Sequence, residues 1–220
     1  MDLYLVPNDP EDTVLVSASG VAHYQIQTIK VSKKTLVTVI SRPSAPFDSE
    51  DYIVAEIEWK HGSRQTIIRS PLFTGDGQRL GTMGIGIPAF QYLYKRHKYG
   101  RASYFVGNDA VEYRWKMMRN VGCMLTPCDS SSEIASSKDT YITEGPFAGE
   151  RKHVLCIHPS ALDIDLIILT FVIMERKRRK RDGDDVFEEA CDEDPQGDGG
   201  GSGDDSNADA GAELGMVGEL

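Results

Sequence analysis

Short runs of alternating hydrophobic and polar residues fill the chain before residue 160, and turn-forming residues separate them. In the clearest run, Asp51–Lys60, one face carries Ile53, Ala55, Ile57 and Trp59. Successive side chains of a β-strand point to opposite faces, so this period of two predicts a half-buried strand. The pattern recurs about ten to twelve times with turn residues between the runs, which is typical of a sandwich or barrel.

The predicted strands can be placed along the chain from these runs. Gly107–Asp109 marks the clearest hairpin turn. Pro88–Lys95 fits either a strand or a short helix, whereas Gly75–Gly86 and the Ser-rich Asp129–Lys138 predict loops. The predicted strands are Leu3–Val6, Thr13–Ala18, Val21–Ile29, Thr35–Ser41, Asp51–Lys60, Arg64–Arg69, Arg101–Val106, Ala110–Lys116, Val121–Leu125, Thr140–Thr143 and His153–His158.

A different pattern occupies Leu162–Arg181, which reads LDIDLIILTFVIMERKRRKR. Its apolar residues cover every face of a helix, and six consecutive basic residues follow them. Ser160 is positioned as an N-cap, two aspartates lie in the first turns and the basic run lies in the last turns, as the helix dipole favours. The stretch is rich in β-branched residues, so a buried strand is the competing interpretation. The cap and the charge asymmetry favour the helix.

The fully apolar part of this helix, Leu166–Met174, is too short to span a membrane. At 1.5 Å per residue it rises about 13 Å, against a hydrocarbon core of roughly 30 Å. A helix that is apolar on all faces must then be buried within the protein. We expect a mainly β fold, a closed or nearly closed β-barrel threaded by the helix, because a barrel removes exposed strand edges and supplies an apolar lining.

Charge divides the chain at Arg181. All 24 Lys and Arg lie at or before this residue, whereas 14 of the 34 Asp and Glu follow it. The barrel domain, residues 1–181, therefore carries a net charge of +4, and the tail, residues 182–220, one of −14. The tail is rich in Gly and Asp and cannot bury enough apolar surface to fold, so we predict that it is disordered. It either solubilises the protein or folds back onto the basic run.

The chain shows no secretory signal sequence after Met1, where a strand-like pattern starts at once. Its cysteines lack the spacing of a disulfide framework. They are Cys123, Cys128, Cys156 and Cys191. We therefore expect reduced thiols in a cytoplasmic protein, with the nucleus as the alternative location and without a transmembrane segment.

Three motifs together resemble a known family. VAEIEWK begins at Val54, VEYRWK begins at Val111, and the apolar helix with its basic end begins at Leu162. With these motifs, the chain from Met1 to Arg181 resembles a fungal domain family of unknown function that is assigned to the tubby C-terminal-like (LURP-one-related) barrel superfamily. The resemblance implies a barrel of about twelve strands around a hydrophobic C-terminal helix. It implies no enzyme activity and no cofactor.

The basic run is the candidate site for an anionic ligand or for nuclear import. Its residues are Arg176, Lys177, Arg178, Arg179, Lys180 and Arg181. The run either caps the helix dipole, acts as an import signal, or binds anionic lipid at about 1 kcal/mol per residue near a charged surface. Nucleic acid is not expected, because the run lacks interleaved aromatic residues and the acidic tail repels phosphate. Tubby domains bind phosphoinositides through basic residues, but no tubby signature allows those residues to be carried over, and fold alone does not fix function.

Residues with metal-binding or catalytic chemistry form no recognised motif. The metal-binding candidates are Cys123, Cys128, His153, Cys156 and His158. Their spacing is loose for zinc, and strand alternation places His153 on the face opposite Cys156, so separate buried or surface residues are favoured. Gly75–Gly86 lacks the Gly-Lys-Ser/Thr end of a P-loop. Trp59 and Trp115 are predicted to be core aromatic residues.

We therefore expect a non-enzymatic binding or scaffold module, with a protein or an anionic membrane surface as its partner. The alternative is a small enzyme that uses carboxylates or a Cys/His pair in the mouth of the barrel. Its carboxylates would be Glu56, Glu58 and Glu112, which alternate with apolar residues as the solvated positions of a strand do.

Overall fold

The computed structural model describes residues 1–32, 35–44, 51–60, 65–73, 86–97, 100–118 and 121–183. Most of this part of the chain is β-structure. The strands are β1 (Asp2–Val6), β2 (Thr13–Ser17), β3 (Ala22–Ser32), β4 (Thr35–Arg42), β5 (Tyr52–Lys60), β6 (Ile67–Arg69), β7 (Ile87–Pro88), β8 (Ala102–Val106), β9 (Glu112–Met118), β10 (Gly122–Pro127), β11 (Ala135–Tyr141) and β12 (Arg151–Ile157). The helices are a 3-10 turn at Pro71–Phe73, α1 (Ala89–Tyr92) and α2 (Ile164–Asp182).

All twelve strands belong to one antiparallel sheet, in the order β7-β6-β5-β4-β3-β2-β1-β12-β11-β10-β9-β8. In the described residues the ladder is open, with β7 and β8 at its edges. The chain between these edges passes through α1, after which Tyr94 pairs with Tyr104 of β8 through backbone hydrogen bonds of 2.9 and 2.8 Å. This segment therefore leads from one edge of the sheet to the other.

The sheet curves around α2. Every side chain from Asp165 to Arg176 is buried. Strands that are far apart in the sheet reach the helix: the ring centres of Trp115 on β9 and Phe171 are 6.4 Å apart, and the ring centre of Trp59 on β5 is 4.1 Å from the guanidinium carbon of Arg176. The predicted burial of the helix on all faces is therefore confirmed.

Both indole N–H groups within this core are hydrogen bonded to threonine side chains. The only polar side chain in the middle of α2, Thr170, donates to the Leu166 carbonyl at 2.7 Å and accepts from the Trp115 indole at 2.8 Å. The other indole, of Trp59, donates to Thr38 at 2.6 Å. Both tryptophans are buried as predicted, and their N–H groups lose no hydrogen bond when they leave water.

The helix begins later than predicted, and Ser160 is not its N-cap. The cap is Asp163, whose carboxylate accepts a hydrogen bond of 2.8 Å from the backbone N–H of Asp165. Leu162 is 3 % exposed, so the chain carries this residue into the core before the first helical turn. At the other end, Gly183 has φ of 80°, a left-handed conformation that ends the helix.

The alternation predicted for β5 holds over its second half but fails at its start. Ile53 was predicted to be on the same face as Ala55 but is 39 % exposed, whereas Val54 is fully buried. Two adjacent residues of β4, Ile40 and Ser41, are opposite Ala55 and Ile53 of β5. Val54 therefore has no partner in this register and is the extra residue of a β-bulge. A bulge shifts the alternation by one residue, and the sequence pattern does not reveal it.

The loop predicted at Asp129–Lys138 is wrong at its C-terminal end, because β11 begins at Ala135. Ser137 is fully buried, and β11 is hydrogen bonded to β10 and β12. At Gly122 of β10, a Cβ atom would lie 1.8 Å from the Ser137 carbonyl oxygen, so only glycine allows the two strands to approach. Pairing on both sides overrides the weak strand preference of serine.

Several predictions lie outside the described residues. They concern the Gly-rich loop at 75–85 and the acidic tail from residue 184, together with Cys191.

In the part of the chain that the structure describes, no helix is both long enough and apolar enough to cross a membrane.

Candidate functional site

The six basic residues of the candidate site divide into a buried and a peripheral group. Arg176 and Arg178 are only 5 % and 7 % exposed. Arg181 is exposed, and the other three are half-buried. A helix turns by 360° in 3.6 residues, so adjacent charges in the sequence point in different directions, and some of these point into the protein.

Arg176 lies between an aromatic ring and a carboxylate. Its guanidinium carbon is 4.1 Å from the centre of the Trp59 ring, and its Nη1 donates to Glu11 Oε2 at 2.7 Å. Glu11 belongs to the turn between β1 and β2, whereas Trp59 is near the end of β5. These contacts join the end of α2 to two separate parts of the sheet.

Glu175 is the centre of a buried charge network that begins one residue before the basic run. Its carboxylate is fully buried and accepts hydrogen bonds from Arg178 Nε at 2.9 Å, Arg178 Nη2 at 2.7 Å and Arg179 Nε at 3.1 Å. His153 Nε2 of β12 lies 3.3 Å from the same carboxylate, and His153 Nδ1 lies 2.7 Å from Asp139. Together these five residues, the Glu175 network, replace the water that burial removes.

The network extends to Asp182, which the division of charge assigns to the tail. This residue is the last of α2, its side chain is 7 % exposed, and its Oδ2 accepts from Arg178 Nη1 at 2.9 Å. Asp182 therefore pairs with the basic run at the point where the helix ends.

Glu175 and Arg178 stabilise each other in their charged forms. Burial alone raises the pKa of Glu175, but hydrogen bonds from His153 and Arg178 outweigh it and hold that pKa well below 4.5. The hydrogen bond to Glu175 in turn raises the pKa of Arg178. Burial, with Glu175 at 3.9 Å from the sulfur, raises the pKa of the Cys123 thiol. A thiol with a raised pKa stays protonated, so Cys123 is not an activated nucleophile.

The Glu175 network predicts a loss of stability in acid. Because folding lowers the pKa of Glu175, its contribution is complete above pH 4.5 and is lost as the pH falls from there toward the folded-state value. We expect the urea midpoint of the wild type to fall as the pH is lowered over this range. Glu175→Gln should be less stable at neutral pH, and its urea midpoint should depend less steeply on pH. Urea unfolding at a series of pH values measures both.

Some acid dependence should remain in that variant, because hydrogen bonds from Tyr94 and Arg96 also lower the pKa of Glu112. An acid slope in Glu175→Gln equal to that of the wild type would contradict the assignment of the effect to Glu175.

A second buried carboxylate holds the other end of α2. Asp165 accepts from the Tyr24 hydroxyl at 2.8 Å, and from Arg42 through Nε at 2.8 Å and Nη2 at 2.5 Å. Burial raises the pKa of Tyr24, and the adjacent Asp165 raises it further, so the phenol remains a donor. Ion pairs thus fix both ends of α2 within the sheet.

The residues considered for metal binding or thiol chemistry do not come together. Among residues 1–183 with their undescribed gaps excluded, no group of three or more His, Cys, Asp or Glu is arranged to hold a metal ion. Cys156 donates to Asp2 at 2.9 Å, whereas His158 lies 3.5 Å from Glu133. Burial, together with the hydrogen bond to Asp2, raises the pKa of Cys156 to about 11.

The three carboxylates considered for acid–base chemistry are divided between distant strands. Glu58 pairs with Arg69 at 2.9 Å on β6, and Glu56 lies beside it on β5. Glu112 is on β9, near the opposite edge of the ladder, where it is bonded to Tyr94 and Arg96. The described contacts of these carboxylates are those of surface ion pairs.

The two ends of the sheet differ in charge. The end at which α2 begins carries Asp2, Asp51, Asp109, Asp129, Glu133 and Asp163. The end at which α2 finishes, called the basic end below, carries Lys30, Arg101, Lys180 and Arg181. None of these four basic side chains forms an ion pair with another residue that the structure describes.

Strand register places Lys30 and Arg101 at this end. Lys30 of β3 is opposite Leu36, which is opposite Trp59, the residue stacked on Arg176. The carbonyl of Arg101 accepts from the N–H of Met117 at the end of β9, next to the strand that carries Cys123. Both basic residues therefore flank the end of α2.

Other charges at the basic end are largely matched. Arg151 pairs with Asp139 at 3.3 Å, and Lys152 pairs with Glu150 at 2.7 Å. Exposed carboxylates are also present at this end, in Asp9 and Asp12. The basic character of this end therefore depends on the excess of the four cations named above over these two carboxylates.

Exposed apolar side chains lie next to these cations. Val31 follows Lys30 and is 65 % exposed, Tyr141 at the end of β11 is 65 % exposed, and Val121 in the turn before β10 is 49 % exposed. The opposite end exposes Val21 by 55 % in similar fashion. Charge, and not apolar exposure, thus distinguishes the two ends.

Sequence reasoning missed the contacts that bury Arg176 and Arg178. Glu11, the partner of Arg176, is 165 residues before it, and Asp139 and His153, which complete the network around Glu175, lie on strands whose pairing with each other is not visible in the sequence. The available signal is indirect: a helix buried on all faces that carries charge must find partners on the surrounding strands.

Comparison with known proteins gives a family but no function. The model of a family of unknown function, DUF6593, matches residues 8–180. No curated protein and no solved structure matches the chain. The match ends within the basic run, before the acidic tail.

Proposed function

The chain belongs to this family of unknown function, and we propose that it is a non-enzymatic, intracellular binding module that docks its basic end on an anionic membrane surface. The observation that carries this proposal is the basic end itself, where four cations without described ion-pair partners lie beside exposed Val31, Val121 and Tyr141. Basic residues attract anionic headgroups, and adjacent apolar residues enter the boundary of the hydrocarbon region.

The rigid attachment of α2 supports the proposal. Lys180 and Arg181 extend a helix whose last turns are fixed by Glu175 and by the stacking of Arg176 on Trp59. Cations that are already positioned lose little conformational freedom when they meet a surface. Four such residues supply about 4 kcal/mol, which gives weak, reversible binding that the apolar side chains strengthen.

We include in this proposal a closed barrel of the tubby C-terminal type. The pairing of Tyr94 with Tyr104 supports it, because the segment from α1 to Tyr94 lies between the two edge strands. The burial of α2 on all faces supports it as well, since a flat sheet would leave one face of the helix in water.

The proposal predicts that K180Q/R181Q loses most of the binding to anionic vesicles. Each basic residue near a charged surface contributes about 1 kcal/mol, so we expect about thirtyfold weaker binding. Co-sedimentation at low salt with vesicles of phosphatidylcholine and phosphatidylserine measures it. Vesicles of phosphatidylcholine alone give the background.

The matched control is K95Q/K138Q, which removes the same charge from two exposed lysines that are not among the four cations of the basic end. We expect it to bind as the wild type does. If the two variants lost the same amount of vesicle binding, the effect would be due to net charge and not to the basic end. If the wild type did not bind anionic vesicles at low salt, the membrane proposal would be refuted. The basic end would then be proposed to bind a protein partner instead.

The enzyme alternative has no convergent group to support it among the described residues. Its Cys/His pair is separated into contacts with Asp2 and Glu133, and its carboxylates lie on β5 and β9. We therefore do not propose a reaction.

A further inference from the structure

We propose that the acidic tail, residues 184–220, occupies the basic end of its own chain and competes there with an anionic surface. The inference rests on the basic end proposed above as the contact site, and adds its regulation. Three features of the molecule support it: where the helix ends, how charge is distributed, and how far the tail can reach.

The helix α2 ends at the basic end of the sheet. Asp182 is the last residue of α2 and already pairs with Arg178 at 2.9 Å. Gly183 then ends the helix in a left-handed conformation that a residue with a side chain rarely adopts. The tail therefore begins two residues after Asp182, a carboxylate that is itself bound to the basic run.

The charge of the tail complements that of the basic end. Residues 184–220 contain thirteen Asp and Glu and no Lys or Arg. The family match stops at residue 180, so this segment lies outside the matched domain. An acidic segment attracts Lys30, Arg101, Lys180 and Arg181 as an anionic membrane does, and the two must exclude each other.

The tail can reach the whole of the basic end. By the scaling of flexible chains, nine residues, the length from Gly183 to Cys191, span about 17 Å on average, and the 37 residues of the full tail span about 35 Å. Tethering at this length gives a local concentration in the millimolar range. A second copy of the chain would need that concentration in solution, so the chain's own tail is the occupant we propose.

A spin label on Cys191 tests the contact directly. The experiment uses the full chain with Cys128→Ser and Cys156→Ser, since Cys123 is buried. We expect the label to broaden the amide signals of Lys30 and Arg101, which are far from the tail in sequence. High salt should restore them, and signals at the opposite end should not change.

The control for tethering is the same labelled chain with every Asp and Glu after Gly183 changed to Asn or Gln. Its label is attached at the same distance but lacks the charge, so broadening at Lys30 and Arg101 should fall. Equal broadening in the two chains, or broadening that spreads evenly over both ends, would overturn the inference.

A vesicle experiment tests the competition. With phosphatidylcholine and phosphatidylserine vesicles, we expect the neutralised tail to tighten binding about tenfold, which corresponds to the release of one to two basic residues at about 1 kcal/mol each. A tail with the same composition in scrambled order should behave as the native tail, since charge and not sequence is responsible. A neutralised tail that binds no more tightly than the native one would refute the competition.

The two proposals fail in different ways. Broadening at Lys30 and Arg101 without vesicle binding by any form would retain the tail contact and refute the membrane function. Vesicle binding that depends on Lys180 and Arg181, with no broadening and no effect of the tail, would retain the function and refute the tail contact.

Discussion

Replacement of Glu175 by alanine is expected to lower the free energy of unfolding by about 3–5 kcal/mol, the usual cost of removing one partner from a buried ion pair. The substitution leaves the buried Arg178 and His153 facing each other without the carboxylate that lies between them. A buried guanidinium cannot shed its proton, so it must remain charged without its partner or draw water into the core. Urea unfolding at neutral pH measures the loss.

The matched control is Glu150→Ala, which removes a solvent-exposed carboxylate from its pair with Lys152. An exposed ion pair contributes about 0–1 kcal/mol, so this variant should unfold almost as the wild type does. A loss below about 1 kcal/mol in Glu175→Ala would show that water already reaches the network.

A double variant separates the charge network from the space that it fills. Glu175→Leu with Arg178→Met removes both charges and keeps apolar volume in the same place. Replacing a whole buried ion pair with apolar side chains is often neutral or stabilising. We therefore expect the double variant to be more stable than Glu175→Ala, with a coupling that a double-mutant cycle measures.

The β-strands were predictable because their signal is local. Each strand needs only alternation over a few residues and a turn at its end, and β1 to β4 begin and end within three residues of the predicted bounds. The predicted helix at Leu162–Arg181 is also confirmed as α2, since apolar residues on every face and the charges at its two ends are properties of one stretch. Errors arose where a distant contact decided the outcome, as at the bulge of Val54.

Strand order was not predictable from the same signals. β1 lies between β2 and β12, so the first strand pairs with one that is about 150 residues later in the chain. Nothing in the local pattern of either strand specifies this pairing. It depends on burying α2, whose contacts with both halves of the sheet require the first and last strands to meet.

The candidate site was located by the sequence but not understood from it. Six adjacent basic residues indicate a cationic surface, yet Arg176 and Arg178 are buried, and Arg179 is bonded to Glu175. Arg176 is bonded to Glu11 in the turn before β2 and lies against Trp59 of β5. The carboxylate of Glu175, which holds Arg178 and Arg179, is itself next to His153 of β12, so tertiary contacts decide which of these charges are buried. A basic run at the end of a buried helix therefore has two roles, of which only the last residues face outward.

This division links stability to function. The charges of the Glu175 network fix the direction in which α2 leaves the sheet, and Lys180 and Arg181 continue in that direction. A variant that loosens the network without unfolding the chain would present the same cations less rigidly. Its vesicle binding would then weaken although no residue of the basic end had changed.

The second large effect concerns Phe171, at the centre of α2, and we expect Phe171→Asp to unfold the domain. The side chain is fully buried, stacked at 6.3 Å on the His153 ring and tilted against Trp115. Phe171→Ala alone should cost about 3–5 kcal/mol through the cavity it leaves. Aspartate adds an unpaired carboxylate, and the total meets or exceeds the 5–15 kcal/mol by which folded domains are usually stable.

Ile164→Asp is the matched control, because it places the same charge on the same helix. Ile164 is 39 % exposed in the first turn of α2, where the helix dipole favours a negative charge, so this variant should fold normally. Circular dichroism and urea unfolding of the two variants decide the matter. If Phe171→Asp remained soluble and unfolded cooperatively near the wild-type midpoint, α2 could not be the buried centre of the domain, since an unpaired carboxylate among apolar side chains destabilises the folded state.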